Sequence, residues 1–140
     1  MIRAVIDPNV LISAFISRLG SSPDRIVRAW RAGAFEMIVS PKLLAELTDV
    51  LQRPRFAQQA GAGRANAYVA ALAADADRVD DPSDPPSVSP DADDDYLFAL
   101  AQAAGADLIV SGDRHLTTLP DPHPPVFTPG EFVRALEEAD

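Results

Sequence analysis

Cysteine is absent from the 140 residues, which excludes disulfide frameworks, thiolate metal sites, iron–sulfur clusters and a cysteine nucleophile. Lysine is nearly absent too: Lys42 stands alone against eleven arginines, a bias expected of a GC-rich genome. No apolar run approaches the ~20 residues needed to span a bilayer. The opening MIRAVID reaches Asp7 at once, unlike a secretory leader. The expected setting is the cytoplasm, without a membrane partner.

What remains is a chain long enough for one domain, 1–140, with a core of its own. The formal net charge is −9, which by itself argues against a nucleic-acid partner. The charge is unevenly placed, however. Residues 1–74 carry 9 basic and 5 acidic side chains, whereas residues 75–140 carry 3 and 16. The average hides a mildly basic half and a strongly acidic one.

The hydrophobic pattern alternates between two kinds of element. IRAVI at 2–6, Phe35 to Val39, Asp107 to Ser111 and Pro125 to Thr128 read as short, buried, β-branched strands. Val79 marks a further, very short one. Ser22-Pro23 and Ser40-Pro41 offer helix caps followed by proline. The helices that follow are stopped by Gly33 and by Arg53-Pro54. Further helices are expected over Arg64 to Asp77, from about Asp93 to Ala104, and after Pro129. Residues 81–90 (DPSDPPSVSP) hold four prolines and read as an ordered loop. Strands alternating with helices predict a three-layer α/β/α domain with a mainly parallel sheet.

Sites in such sheets lie beyond the carboxyl ends of the strands. Asp7 follows the first strand and Asp113 lies just past DLIVS, so both are placed at that edge. Each is equally suited to capping the helix that follows. In LLAELTDVL, setting Leu47 at zero and stepping ~100° per residue puts Glu46 at about 100°, the border of the apolar face. Asp49 falls at about 160°, facing water. In the run Asp93-Asp94-Asp95, with Leu97 at zero, Asp94 falls at about 60° and Asp95 at about 160°. Asp94 is therefore expected to lean inward, Asp95 to face solvent, and Asp93 to cap the helix start. Carboxylates converging in one crevice repel one another unless a cation intervenes. Oxygen-only ligation suits Mg²⁺ or Mn²⁺ rather than structural zinc. Such an ion activates water for phosphodiester hydrolysis.

Four blocks in series resemble PIN-domain proteins: VIDPNVLISA (5–14), SPKLLAELTDVLQRPRF (40–56), DADDDYLFALAQAAGADLIVSGDRHL (91–116) and TPGEFV (128–133). The branch they are most similar to is the toxin component of toxin–antitoxin systems, related to VapC toxins. The resemblance implies a PIN-like fold and a Mg²⁺- or Mn²⁺-dependent ribonuclease, generally a homodimer held by a protein antitoxin. It places the family acids at Asp7, Glu46, Asp94 and Asp113. Asp7, Asp94 and Asp113 are the implied metal ligands, and Glu46 either ligates through water or helps activate the attacking water. Asn9, Ser111 and Asp93 are supporting residues. Ser111 stands where the family often has Thr, and Pro8 where Thr or Ser is common, which removes a hydroxyl near the acids. Arg18, Arg25, Arg28, Arg53 and Arg55 are candidates for the RNA backbone, each equally readable as a solvated helix face.

Competing chemistries fit poorly. His115 and His123 do not build a hydrolase triad and no G-x-S-x-G is present. The GAG turn at 61–63 lacks the setting of a dinucleotide fingerprint. Two other expectations stay open beside the toxin: an inactive PIN-like binding module, and a housekeeping RNA-processing nuclease.

Overall fold

In a computed structural model of the protein, which describes residues 1–83 and 95–139, five parallel strands form one sheet in the order β3-β2-β1-β4-β5. The strands are β1 (Arg3–Ile6), β2 (Glu36–Val39), β3 (Asp77–Arg78), β4 (Leu108–Val110) and β5 (Val126–Phe127). Between β1 and β2 lie α1 (Pro8–Ile16) and α2 (Ser22–Arg31). Between β2 and β3 lie α3 (Pro41–Leu51), α4 (Pro54–Ala60) and α5 (Ala62–Asp75). The later helices are α6 (Asp95–Ala104), α7 (Arg114–Thr117) and α8 (Pro129–Glu138).

The central strands are apolar because both their faces are covered. Ala4, Val5, Ile6, Ile38 and Ile109 have no exposed surface. Each buried Val or Ile contributes roughly 1.5–3 kcal/mol. The linked helices α1, α2, α3 and α5 build one layer, while α6 packs on β1 and β4. The chain moves one way from β1 through β2 to β3, then jumps across to β4 and β5. Right-handed crossovers in the two directions place their helices on opposite faces, and the result is the three-layer α/β/α arrangement.

Helix boundaries follow local chemistry, with some shifts from expectation. Ser21, not Ser22, caps α2: its Oγ accepts from the Asp24 N–H at 3.2 Å. Ser40 caps α3 as expected, accepting from the Leu43 N–H at 3.1 Å. Gly33, at φ +82°, ends α2 in a left-handed conformation that costs glycine little. Pro54 breaks α3 but also opens α4, a helix not expected from the sequence. The short third strand lies at Asp77–Arg78; Val79 extends its ladder by donating its N–H to the Val39 carbonyl at 2.8 Å. The proline loop is described only to residue 83, so most of it, with Asp93 and Asp94, lies outside the described residues.

One expectation is overturned. Asp95 is only 5% exposed. A helical wheel separates wet from dry faces only where one face is wet, and every residue of α6 from Asp95 to Ala101 is buried.

Candidate functional site

The strand order reverses between β1 and β4, so their carboxyl ends flank the crevice at the topological switch point. Asp7 leaves β1 there. Its N–H donates to the Val110 carbonyl at 2.9 Å, continuing the ladder by one residue. Its side chain then turns to cap α1, with Oδ1 accepting from the Asn9 N–H at 2.9 Å. Pro8 occupies the first turn of α1, where its missing donor costs nothing. Across the crevice Ser111 leaves β4 fully buried, and its Oγ donates to Asp7 Oδ2 at 2.8 Å. The same Oγ accepts from the Asp113 N–H at 3.0 Å. One hydroxyl thus ties the loop after β4 to the acid after β1.

Asp7 is 4% exposed. Burial pushes its carboxyl above the usual range, the two hydrogen bonds oppose that rise, and the negative charges of Glu46 and Asp113 add to it. Asp113 caps the four-residue α7, its Oδ1 accepting from the His115 N–H at 2.9 Å. The His115 imidazole itself is exposed. A hollow of about 350 Å³ lies beside Asp113 at this edge, lined by Asn9, Val10, Ser13 and Gly112 among others.

Glu46 arrives from α3, on the other side of the crevice from β4. Its Oε2 accepts a hydrogen bond of 2.6 Å from the Tyr96 hydroxyl on α6. Tyr96 is 5% exposed, and burial, with the Glu46 carboxylate next, raises its phenol well above the ordinary range. It stays a neutral donor at any working pH. The Lys42 ammonium lies 4.6 Å from the centre of the Tyr96 ring, and its backbone N–H donates to Asp81 Oδ2 at 2.9 Å. Tyr96 and Lys42 are not singled out by the sequence pattern. Lys42 was detectable as the only lysine, placed four residues before Glu46 on one helix face.

The sequence-selected residues therefore divide. Asp7, Glu46, Asp113 and Ser111 meet at one edge. Asn9 takes part through its backbone while its side chain is exposed. Asp93 and Asp94 lie outside the described residues. Arg18 is exposed in the turn after α1. Arg25 pairs with Glu137 at 3.8 Å, Arg28 with Asp24 at 3.0 Å and Arg53 with Asp49 at 3.4 Å, while Arg55 covers the Phe56 ring at 5.2 Å.

A buried acid flanked by two others and free of thiolate or clustered imidazole is a donor set suited to a hard divalent cation. Among the described residues no three His, Asp or Glu side chains are gathered closely enough to hold one. The fit is one of donor chemistry and charge, not of a closed ligand cage.

Fold and site together define an α/β protein with a carboxylate-lined crevice at the switch point of a parallel sheet. A family profile described as PIN domain matches residues 3–115, and the chain belongs to that family. PIN domains are generally nucleases, acting on RNA and usually binding divalent metals. No curated protein matches the chain. Among the described residues no helix is long and apolar enough to cross a membrane.

Proposed function

We propose that this PIN domain is a Mg²⁺- or Mn²⁺-dependent ribonuclease and the toxin of a toxin–antitoxin pair. The observation that carries the catalytic part is the setting of Asp7: hydrogen-bonded on both oxygens, its carboxyl pushed up chiefly by burial and further by the charges of Glu46 and Asp113. A protein keeps such a carboxylate at a cost, and a bound cation offsets it.

Asp7, Asp113 and Asp94 are the residues that would hold the ion, with Glu46 as a further ligand through water or as an aid to the attacking water. Bound there, a divalent cation supplies charge at the phosphoryl oxygens and eases deprotonation of water. The chain's own residues do the positioning. Ser111 fixes the rotamer of Asp7 and the path of the loop that carries Asp113. Tyr96 holds one oxygen of Glu46 and leaves the other for solvent or substrate. The toxin assignment, with a homodimer and a protein antitoxin, is supported by the four sequence blocks and in particular by TPGEFV at 128–133. The acidity of residues 75–140 suits a basic partner surface.

The test is cleavage of a panel of RNAs with Mg²⁺ or Mn²⁺, comparing the wild type with Asp7→Asn and Asp94→Asn. Cleavage by the wild type alone is the expected result. Equal behaviour of all three on every RNA overturns the nuclease and leaves the binding module. Growth arrest on expression, relieved by a small co-encoded protein, separates the toxin from a housekeeping enzyme.

A further inference from the structure

Away from the carboxylates, α1, α2 and α5 enclose a cleft of about 590 Å³. Its floor is aromatic. The Phe15 and Tyr68 ring centres lie 4.9 Å apart, and the Tyr68 hydroxyl is spent on the Leu11 carbonyl at 2.8 Å. Its walls carry Arg28, Arg31, Arg64 and a single acid, Asp24. That acid is already engaged. Its Oδ2 accepts from the Gly20 N–H at 2.8 Å and faces Arg28 at 3.0 Å. Among the described residues, neither Arg31 nor Arg64 stands in an ion pair.

In a chain with 21 acids and 12 basic residues, three arginines against one acid around one cleft, two of them outside any ion pair, form a local positive potential that the walls focus. The Arg64 guanidinium also lies 5.7 Å from the centre of the Phe15 ring. A guanidinium resting on an aromatic ring offers a flat cationic plane, the surface on which an unpaired base stacks while its phosphate meets the neighbouring arginine. An acidic peptide would use the charge but not the plane.

Position supports the same ligand. On α1, Phe15 stands eight residues past the Asp7 cap, so this ring of the cleft lies about 12 Å along the helix from the catalytic edge. The acidic half of the chain repels a polyanion, whereas this route crosses the half with surplus arginine.

We propose that the α1/α2/α5 cleft binds the backbone and a stacked base of the single-stranded RNA that flanks the cut. The proposal rests on the ribonuclease reading for its substrate. It also moves RNA binding from Arg18, Arg25, Arg53 and Arg55 to Arg31 and Arg64, keeping Arg28.

Binding without cleavage tests it. Fluorescence anisotropy of a labelled single-stranded RNA 12-mer, in EDTA and low salt, is compared for the wild type, Arg31→Glu/Arg64→Glu, Arg31→Lys/Arg64→Lys and Arg134→Glu. Thermal unfolding of each verifies folding. The double Glu variant is expected to bind at least tenfold more weakly, with a salt slope shallower by about 0.7 for each phosphate it no longer neutralises. The double Lys variant keeps most of the affinity and Arg134→Glu all of it. Wild-type affinity in the double Glu variant overturns the proposal, as does equal competition by an oligoglutamate 12-mer. Arginine-dependent binding without any cleavage retains the cleft and removes the nuclease. Cleavage that ignores the arginines does the reverse.

Discussion

The two ends of the sheet are both ringed with acids, yet they are balanced in opposite ways. At the amino end Arg3 gathers three of them. Its Nη1 bonds Glu36 at 2.7 Å, its Nη2 bonds Asp77 at 2.9 Å, and its backbone N–H donates to Asp107 at 2.8 Å. The first two bonds raise the guanidinium pKa further, Glu36 contributing most. At the carboxyl end Asp7, Glu46 and Asp113 face one another across the switch point, and no arginine is paired with any of them among the described residues. Among the described residues they receive hydroxyls, backbone N–H groups and, at Asp113, the His115 imidazole at 3.7 Å. The fold supplies a cation of its own where it needs only structure. It leaves the charge open where, on the proposed function, an exchangeable ion and a phosphate would be handled.

Breaking the carboxyl end gives the largest expected effect. Asp7→Asn removes the buried charge without removing its volume, so cleavage falls on the order of 10²–10³-fold while stability holds or rises. Mg²⁺ or Mn²⁺ is expected to raise the unfolding midpoint of the wild type, by about 1.4 kcal/mol at ten times the dissociation constant, and the same substitution to abolish that rise. A melting curve with and without metal reads this independently of any RNA. If Asp7→Asn unfolds the protein, the acid is a structural cap and the contrast between the two ends is lost.

Ser111→Ala comes next. It strips one hydrogen bond from Asp7 and strands the Asp113 N–H in a part-buried place, costing about 1–3 kcal/mol in urea unfolding and roughly 10-fold in cleavage. Arg3→Met is the converse experiment at the amino end. Half-exposed ion pairs are worth little each, so the expected loss is roughly 1 kcal/mol, with the cleavage rate unchanged. A fall in cleavage there would mean that the ends communicate. Tyr96→Phe is the smallest: Glu46 loses a donor, the core keeps its ring, and cleavage drops a few-fold at unchanged stability.

The strands β1, β2 and β4 were legible because burial on both faces demands a continuous apolar run, and IRAVI and DLIVS carry it openly. Asp7 and Asp113 were legible because an acid directly after such a run falls at a known edge. Glu46 was legible from helical angle, since α3 has one wet side. The same arithmetic failed at Asp95, where the first seven residues of α6 are all buried. The cleft shared by Arg28, Arg31 and Arg64 was hidden for another reason. Which arginines share a cleft depends on how α2 and α5 meet α1, a long-range fact with no local signature, so Arg31 and Arg64 were passed over. Tyr96 was hidden likewise, because its hydroxyl finds Glu46 fifty residues back in the chain.

The pairing of Ala4 with Leu108 sets a timetable for the newborn protein. The central strand is made about a hundred residues ahead of its partner on one side, a wait of roughly 5–20 s at ordinary rates of translation. Asp7 exists throughout that interval, but the crevice does not, since Ser111 and Asp113 arrive with the late strand. A nascent chain therefore lacks the assembled crevice until β4 has been made, and whatever chemistry Asp7 takes part in there waits for that strand.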